Sequence, residues 1–442
     1  MNLNIQAFNI ITPNEKNISF EGVDLTNTNK LLITADDLEI ARIVALAAFN
    51  FDKILIKLSG YNVEYSKVSN LKKQTVQNAY TSPNPRAEVS RFSTSVEEEV
   101  TLGLNTKVLE AESNELLNFV SQEIGISHLL KRNPLNLSGG EVAKVILASH
   151  LIHMPKIWII DRTLNELDNQ SRNSFLGFLN DKKILPDTLV IVIDYPELLA
   201  SVRFDAVWKV SETKVDVNHK IKNYLTKHED FFSNDLSISK TKVSDNKSAS
   251  LKIENLNIWR GDKLVIENLS CEFCSGQISW VIGKNGSGKT TLFEALTNII
   301  TNWTGTIQYN HNQKKHPLSE MISYSPQETD IDITEDNLIN EISFAMDKIK
   351  YNEQSKMKAK KWLLNIGMTE YEIINNTLNK NGDRKLASVL SAFARNKPIV
   401  ILDEPSLFLS QNEMNYLNGA IKNHIEQDGI VIIATHDPRL FI

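Results

Sequence analysis

The chain has 442 residues, with 48 Lys+Arg against 54 Asp+Glu for a net charge of −6, 41% hydrophobic and 23% charged residues, and two cysteines. Such a composition is globular with room for two or three cores, which excludes disorder, collagen-like repeats and a disulfide framework. The acidic balance, without a long basic stripe interleaved with aromatics, argues against nucleic acid as the main ligand.

In chain order, the opening residues lack a cationic segment followed by an apolar stretch, so a cytoplasmic home is expected. Leu31 to Thr34 reads as a strand that turns into a helix, and a long middle section follows. A helix then leads to two buried apolar strands, one ending at Asp161 and one running from Thr188 to Ile193. Phe204 to Val210 reads as part of a closing strand pair. Residues 226–250 are polar and without sustained period, a linker between a domain at 1–225 and a second at 251–442. The second half repeats the order of the first. Leu31–Ala41 overlays Trp280–Thr290 without a gap, so a whole domain is duplicated. Alternating strands and helices predict an α/β class with a mostly parallel sheet in each half and an inserted helical portion. Cys271 and Cys274 fall on opposite faces of a strand, and no apolar run reaches the ~18 residues needed to cross a bilayer.

Gly283-Lys284-Asn285-Gly286-Ser287-Gly288-Lys289-Thr290, followed by Thr291, sits between a strand and a helix and fits the phosphate-binding loop. Its glycines let backbone N–H groups close on phosphate oxygens. Lys289 neutralises the β/γ charge and the Thr290 hydroxyl reaches Mg²⁺. Ile399 to Glu404 is an apolar strand ending in two carboxylates, Asp403 for the metal and Glu404 for the attacking water.

With Leu137-Ser138-Gly139-Gly140-Glu141 in the first half, these motifs resemble the ATP-binding cassette (ABC) ATPases over nearly the whole chain, as two tandem cassettes. The resemblance implies a P-loop core in each half, ATP and Mg²⁺ as cofactors, and head-to-tail packing that places each nucleotide between one phosphate loop and the other signature. By the same resemblance Gln327 senses the metal and the water, His436 is the switch on the γ-phosphate, and Trp259 either stacks on adenine or is a core aromatic.

The departures from that pattern sort by half. In the first, Ile40 and Ala41 fall where the loop's lysine and hydroxyl should be, with Asp36, Asp37 and Glu39 among the lost loop residues. Arg162 replaces the glutamate, Asp194 or Tyr195 the histidine, and Pro83 lies near the glutamine position. In the second, Asn379-Lys380-Asn381-Gly382-Asp383 replaces the signature and Ser410 the aspartate that the first half keeps as Asp168. One complete site is therefore expected, joining Lys289, Thr290, Gln327, Asp403, Glu404 and His436 to Ser138, Gly139, Gly140 and Asp168, with a first loop that binds no ATP. The lost loop's acids either pair with Lys380, Arg384 or Lys385 across the other interface or stay solvated.

Thr94 to Leu104 is similar to the matching stretch of energy-coupling-factor importer ATPases, which work beneath separate membrane proteins; otherwise it is an acidic helix start. The resemblance implies an ATPase peripheral to the cytoplasmic face of the membrane, an intramolecular pseudo-dimer with transmembrane partners. The rivals are a soluble tandem cassette acting on ribosome or DNA, and a slow ATP-dependent regulator. Because the second half ends six residues after His436, without a closing strand pair, its sheet edge needs cover from the linker or a partner.

Overall fold

Apolar runs without polar alternation form strands that must be covered on both faces, and in each half such runs build a parallel sheet. The computed structural model describes residues 3–13, 15–49, 51, 56–57, 59–65, 78–104, 110–181, 185–199, 202–217, 237–242, 248–283, 286–311, 314–316, 318–328, 333–347, 352–378, 381–435 and 437–440. They fall into two units, Met1–Lys227 and His228–Ile442.

The first unit opens with β1 (Asn4–Ile5), β2 (Phe8–Ile11), β3 (Asn17–Phe20), β4 (Val23–Asp24) and β5 (Lys30–Ala35), then helix α1 (Leu38–Ala48). Next come β6 (Asn62–Tyr65), β7 (Asn78–Thr81), α2 (Pro85–Glu88), α3 (Val96–Thr101), α4 (Glu110–Ile124) and α5 (Gly139–Leu151). It closes with β8 (Ile157–Asp161), α6 (Asn169–Asn180), β9 (Leu189–Ile193), β10 (Ala206–Val210) and β11 (Val215–Asp216). The central sheet runs β11-β10-β5-β9-β8-β7, parallel except for the β10–β11 pair, and β3-β2-β6 form an antiparallel sheet.

The second unit repeats this plan. It contains β12 (Ser237–Lys242), β13 (Ala249–Arg260), β14 (Lys263–Cys274), β15 (Gln277–Ile282), α7 (Lys289–Leu296), β16 (Trp303–His311), β17 (Lys314–His316) and β18 (Ile322–Ser325). The inserted helices α8 (Leu338–Met346), α9 (Glu353–Asn365) and α10 (Glu370–Asn375) lead to α11 (Asn381–Ala394), β19 (Ile399–Asp403), α12 (Gln411–Glu426) and β20 (Ile430–Ala434). The sheet order is β12-β15-β20-β19-β18, with only β12 antiparallel. Alternate residues split between its faces: Val400, Leu402, Val431 and Ile433 pack with the helices, while Ile399, Ile401, Ile430 and Ile432 pack with α7 and the antiparallel sheet.

One expectation is corrected here. Residues 237–242, read as linker, form β12 and pair with the whole of β15, Ser237 opposite Ile282 and Lys242 opposite Gln277. They lie along the edge of β15 that corresponds to the edge of β5 paired with β10 in the first unit.

Candidate functional site

In the second unit β15 ends at Ile282 and α7 begins at Lys289, so six residues, Gly283 to Gly288, connect strand to helix. Gly288 is the helix N-cap at φ +97°, and a Cβ there would lie 3.1 Å from Ile266 and Val265; both facts demand glycine. The buried Lys289 donates from Nζ to the Gly283 carbonyl at 2.6 Å, across the loop it closes. Among the described residues the buried Ser287 hydroxyl has no hydrogen-bond partner, which suits a loop built to receive an oxyanion. Lys284 and Asn285 lie outside the described residues.

The Thr290 hydroxyl donates to Asp403 Oδ2 at 2.7 Å, joining the first turn of α7 to the end of β19. Asp403 is 1% exposed; burial pushes its carboxyl up, while the Thr290 hydroxyl and the charges of Lys385 and Lys289 oppose that. Glu404 follows in the left-handed region at φ +45°, its N–H donating to Ala434 O at 2.8 Å, so the chain turns sharply off the strand. Gln327, half-buried, follows β18. Trp259 lies on β13 opposite Leu264, next in sequence to the Val265 and Ile266 that abut Gly288. Thr291 is buried in the first turn of α7, and His436 lies outside the described residues.

The first unit keeps the strand-end turn and loses the loop. Sheet pairing places Ile33 level with Ile193 and Asp161, as Val281 is level with Ala434 and Asp403. From Ile33 the chain reaches helix in five residues (38 − 33), from Val281 in eight (289 − 281), so only Asp36 and Asp37 connect β5 to α1. This corrects the gapless overlay: Leu38 and Glu39, rather than Ile40 and Ala41, occupy the helix positions of Lys289 and Thr290. Asp37 caps α1 by accepting from the Glu39 N–H at 2.9 Å. Arg162, with Glu404's backbone form (φ +53°), donates from Nε to Asp161 Oδ1 at 2.8 Å and lies 3.6 Å from Glu39, which also pairs with Arg42. Tyr80 donates to Asp161 Oδ2 at 2.8 Å. Burial dominates Glu39 and pushes its carboxyl up, against the pull of Arg42 and Arg162.

Two members of the pairing considered for the lost loop's acids are engaged within their own units. Glu39 is held by arginines of its own unit, and Lys385 is 1% exposed inside the second. Lys380 lies outside the described residues.

Ser138 stands exposed at the head of α5 in a reciprocal cap: its hydroxyl accepts from the Glu141 N–H, and Glu141 Oε2 accepts from the Ser138 N–H at 2.8 Å. Gly139 and Gly140 are the first two residues of that helix. Asp168 caps α6 and Ser410 caps α12, so the two occupy matching places. The acids of α3 all have local tasks: Glu97 pairs with Lys131, Glu98 with the Thr94 N–H and hydroxyl, and the buried Glu99 with the Ser90 N–H and hydroxyl. Sequence reasoning missed Lys385 as a part of the site's frame; its signal was a lysine four residues before Val389 on the buried face of α11.

A six-residue glycine loop at the carboxyl end of a parallel strand, one strand removed from another that ends in Asp403 just before Glu404, defines a P-loop nucleoside triphosphatase. Residues 266–407 match the family described as ABC transporter. A putative ABC transporter ATP-binding protein of Methanosarcina mazei is 26% identical over 80% of this chain and 72% of its own length. A putative HMP/thiamine import ATP-binding protein of Bacillus subtilis is 22% identical over 78% and 69%. The crystal structure of an archaeal ribosome recycling factor with a ribosomal stalk protein shares the fold at 16% identity and a TM-score of 0.61, over 92% of this chain and 80% of that one. Residues 266–407 thus carry an ATP-binding cassette domain, whose activity is ATP binding and hydrolysis.

Proposed function

We propose that this chain is the ATP-hydrolysing subunit of an ABC transporter and works with one competent ATP site per molecule. The observation that carries the reading is the contrast between the six-residue loop of the second unit and the two-residue turn of the first. A turn of Asp36 and Asp37 offers no ring of amides, and the space beside Asp161 is taken by Arg162.

In this reading Lys289 and the loop amides hold the triphosphate, Trp259 stacks on the base, Glu404 polarises the attacking water, and His436 faces the γ-phosphate. By the family resemblance, Ser138, Gly139, Gly140 and Asp168 of the first unit are the remaining residues assigned to the nucleotide. The Thr290 hydroxyl, the Asp403 carboxylate and the Gln327 amide supply the oxygen donors that a hard divalent cation takes, and the Thr290–Asp403 contact at 2.7 Å fits Mg²⁺ there. Bound Mg²⁺ would neutralise charge on the phosphates. Glu404 and His436 then favour turnover over a slow regulator.

The transport reading is supported by the names of relatives that span most of the chain, one of them a thiamine-type importer. Exposed Phe92 and Leu102, on either side of α3, suit the groove in which such ATPases receive a helix of a membrane partner. Among the described residues no helix is long and apolar enough to cross a membrane, so the reading assigns the crossing to a partner on whose cytoplasmic face the chain sits. Co-purification from detergent-solubilised membranes tests this: integral membrane proteins in stoichiometric amount support it, and rRNA or ribosomal proteins in their place overturn it.

A further inference from the structure

Lys385 sits in α11 with 1% of its surface exposed, and its ammonium donates to three backbone carbonyls: Pro326 at 2.8 Å, Asp403 at 3.0 Å and Gln327 at 3.3 Å. An ammonium has three donors, and these three bonds employ all of them. The acceptors belong to two segments. Pro326 and Gln327 leave β18, whereas Asp403 ends β19 immediately before Glu404. Those strands run parallel and pair up to Ser325 opposite Leu402, so the regular ladder stops just short of the residues assigned to the metal and the water. Past that point the Lys385 ammonium joins the two chain ends.

The first unit joins the matching segments by a different group. Eighteen residues before its strand-end aspartate (161 − 143), where Lys385 stands before Asp403 (403 − 385), it has Ala143. It also lacks the catalytic glutamate and the glutamine. There the Thr163 hydroxyl lies 2.8 Å from the Ser82 carbonyl and 3.3 Å from that of Asp161, so a short neutral side chain joins the matching segments where no glutamine or glutamate is present, and the lysine accompanies the unit that has both.

We propose that Lys385 is a positioning residue for ATP hydrolysis: by holding the carbonyls of Gln327 and Asp403 it sets the spacing between the glutamine segment and the Asp403–Glu404 turn. This rests on the reading of Gln327, Asp403 and Glu404 as the metal and water side of the site. The phosphate loop does not depend on the ammonium, so metal-free nucleotide binding survives its loss while metal-dependent steps suffer.

The full chain is tested as Lys385→Met, with Lys385→Gln as the milder variant that decides on the same readings if the Met variant does not fold. A fluorescent ATP analogue is titrated with EDTA and with Mg²⁺, and kcat, KM, Mg²⁺ half-saturation and thermal midpoint are measured. The expected result is a metal-free Kd within about twofold of the parent and a loss of about tenfold in kcat, inside the hundredfold that a 1 Å misplacement can cost. The Mg²⁺-dependent gain in affinity shrinks, Mg²⁺ half-saturation rises several-fold, and Lys385→Arg recovers part of each. A variant that folds with parental Mg²⁺ half-saturation and parental kcat overturns the proposal. So does activity that falls only in step with the folded fraction. Glu404→Gln and Lys289→Ala run in parallel: if either turns over normally, the reading of the site has failed, and if both fail as assigned, the outcome bears on Lys385 alone.

Discussion

Replacing Arg162 by alanine removes the cation that faces Asp161 and Glu39 in the first unit. Asp161 has a side-chain exposure of 0% and Arg162 of 12%, so neither partner has bulk water as a substitute. Removing one member of such a buried pair costs about 3–5 kcal/mol because the other charge stays behind. Tyr80 still donates to Asp161 at 2.8 Å, which sets the expectation at the lower end, ~3 kcal/mol. For a unit of this size 1 kcal/mol moves the midpoint by about 2–4 °C, so a fall of roughly 6–12 °C is expected. Calorimetry of the full chain resolves it if the transition that Mg·ATP shifts is assigned to the second unit and the mutation moves the other one. The Glu39 part of the deficit also depends on pH. Its carboxyl is pushed above the ordinary value, and Arg162 stabilises only the ionised form, so the deficit shrinks as pH falls through that raised value. A midpoint within 2 °C of the parent (an order-of-magnitude threshold below the smallest shift expected) would refute the reasoning.

His150 accepts from, or donates to, Thr81 Oγ1 at 2.7 Å, and burial pushes it down to about 4. A base depressed in the fold stabilises above its unfolded value and loses that contribution as pH falls, about 2 kcal/mol between pH 7.5 and 5; His150→Gln should flatten this loss in urea titrations of the first unit. Ile238 of β12 packs against the second unit's core, so Ile238→Asp should lower the Mg·ATP-shifted transition and leave the other in place by calorimetry. Ser138→Arg, at the exposed head of α5, should leave nucleotide affinity nearly unchanged and remove most turnover, measured by phosphate release; undiminished turnover would take the signature out of the site. Arg162→Glu restores a carboxylate and should still create no second ATP site, because the two-residue turn is unchanged.

The second unit's site was legible because its chemistry is written in contiguous residues. Gly283 to Thr290 fixes loop length, glycine placement and helix start together, and an apolar strand ending at Asp403 needs no partner to be recognised. The duplication was legible too, but its local alignment was not. A gapless overlay treats two turns as equally long, whereas hydrogen-bond register sets Ile33 level with Val281 and exposes the three-residue deficit. β12 escaped notice because Ser-Ile-Ser-Lys-Thr-Lys has one apolar residue, and an edge strand's affinity lies in its backbone. Lys385 was misjudged because lysine is almost never fully buried, and only three-dimensional packing shows the carbonyls that satisfy it.

The central claim is the count of working sites. Glu404→Gln is loaded with Mg·ATP, passed through a desalting column and assayed for retained nucleotide per chain. One ATP per chain is the predicted result, falling to none when Lys289→Ala is added; two retained per chain, or one that survives Lys289→Ala, would contradict the account.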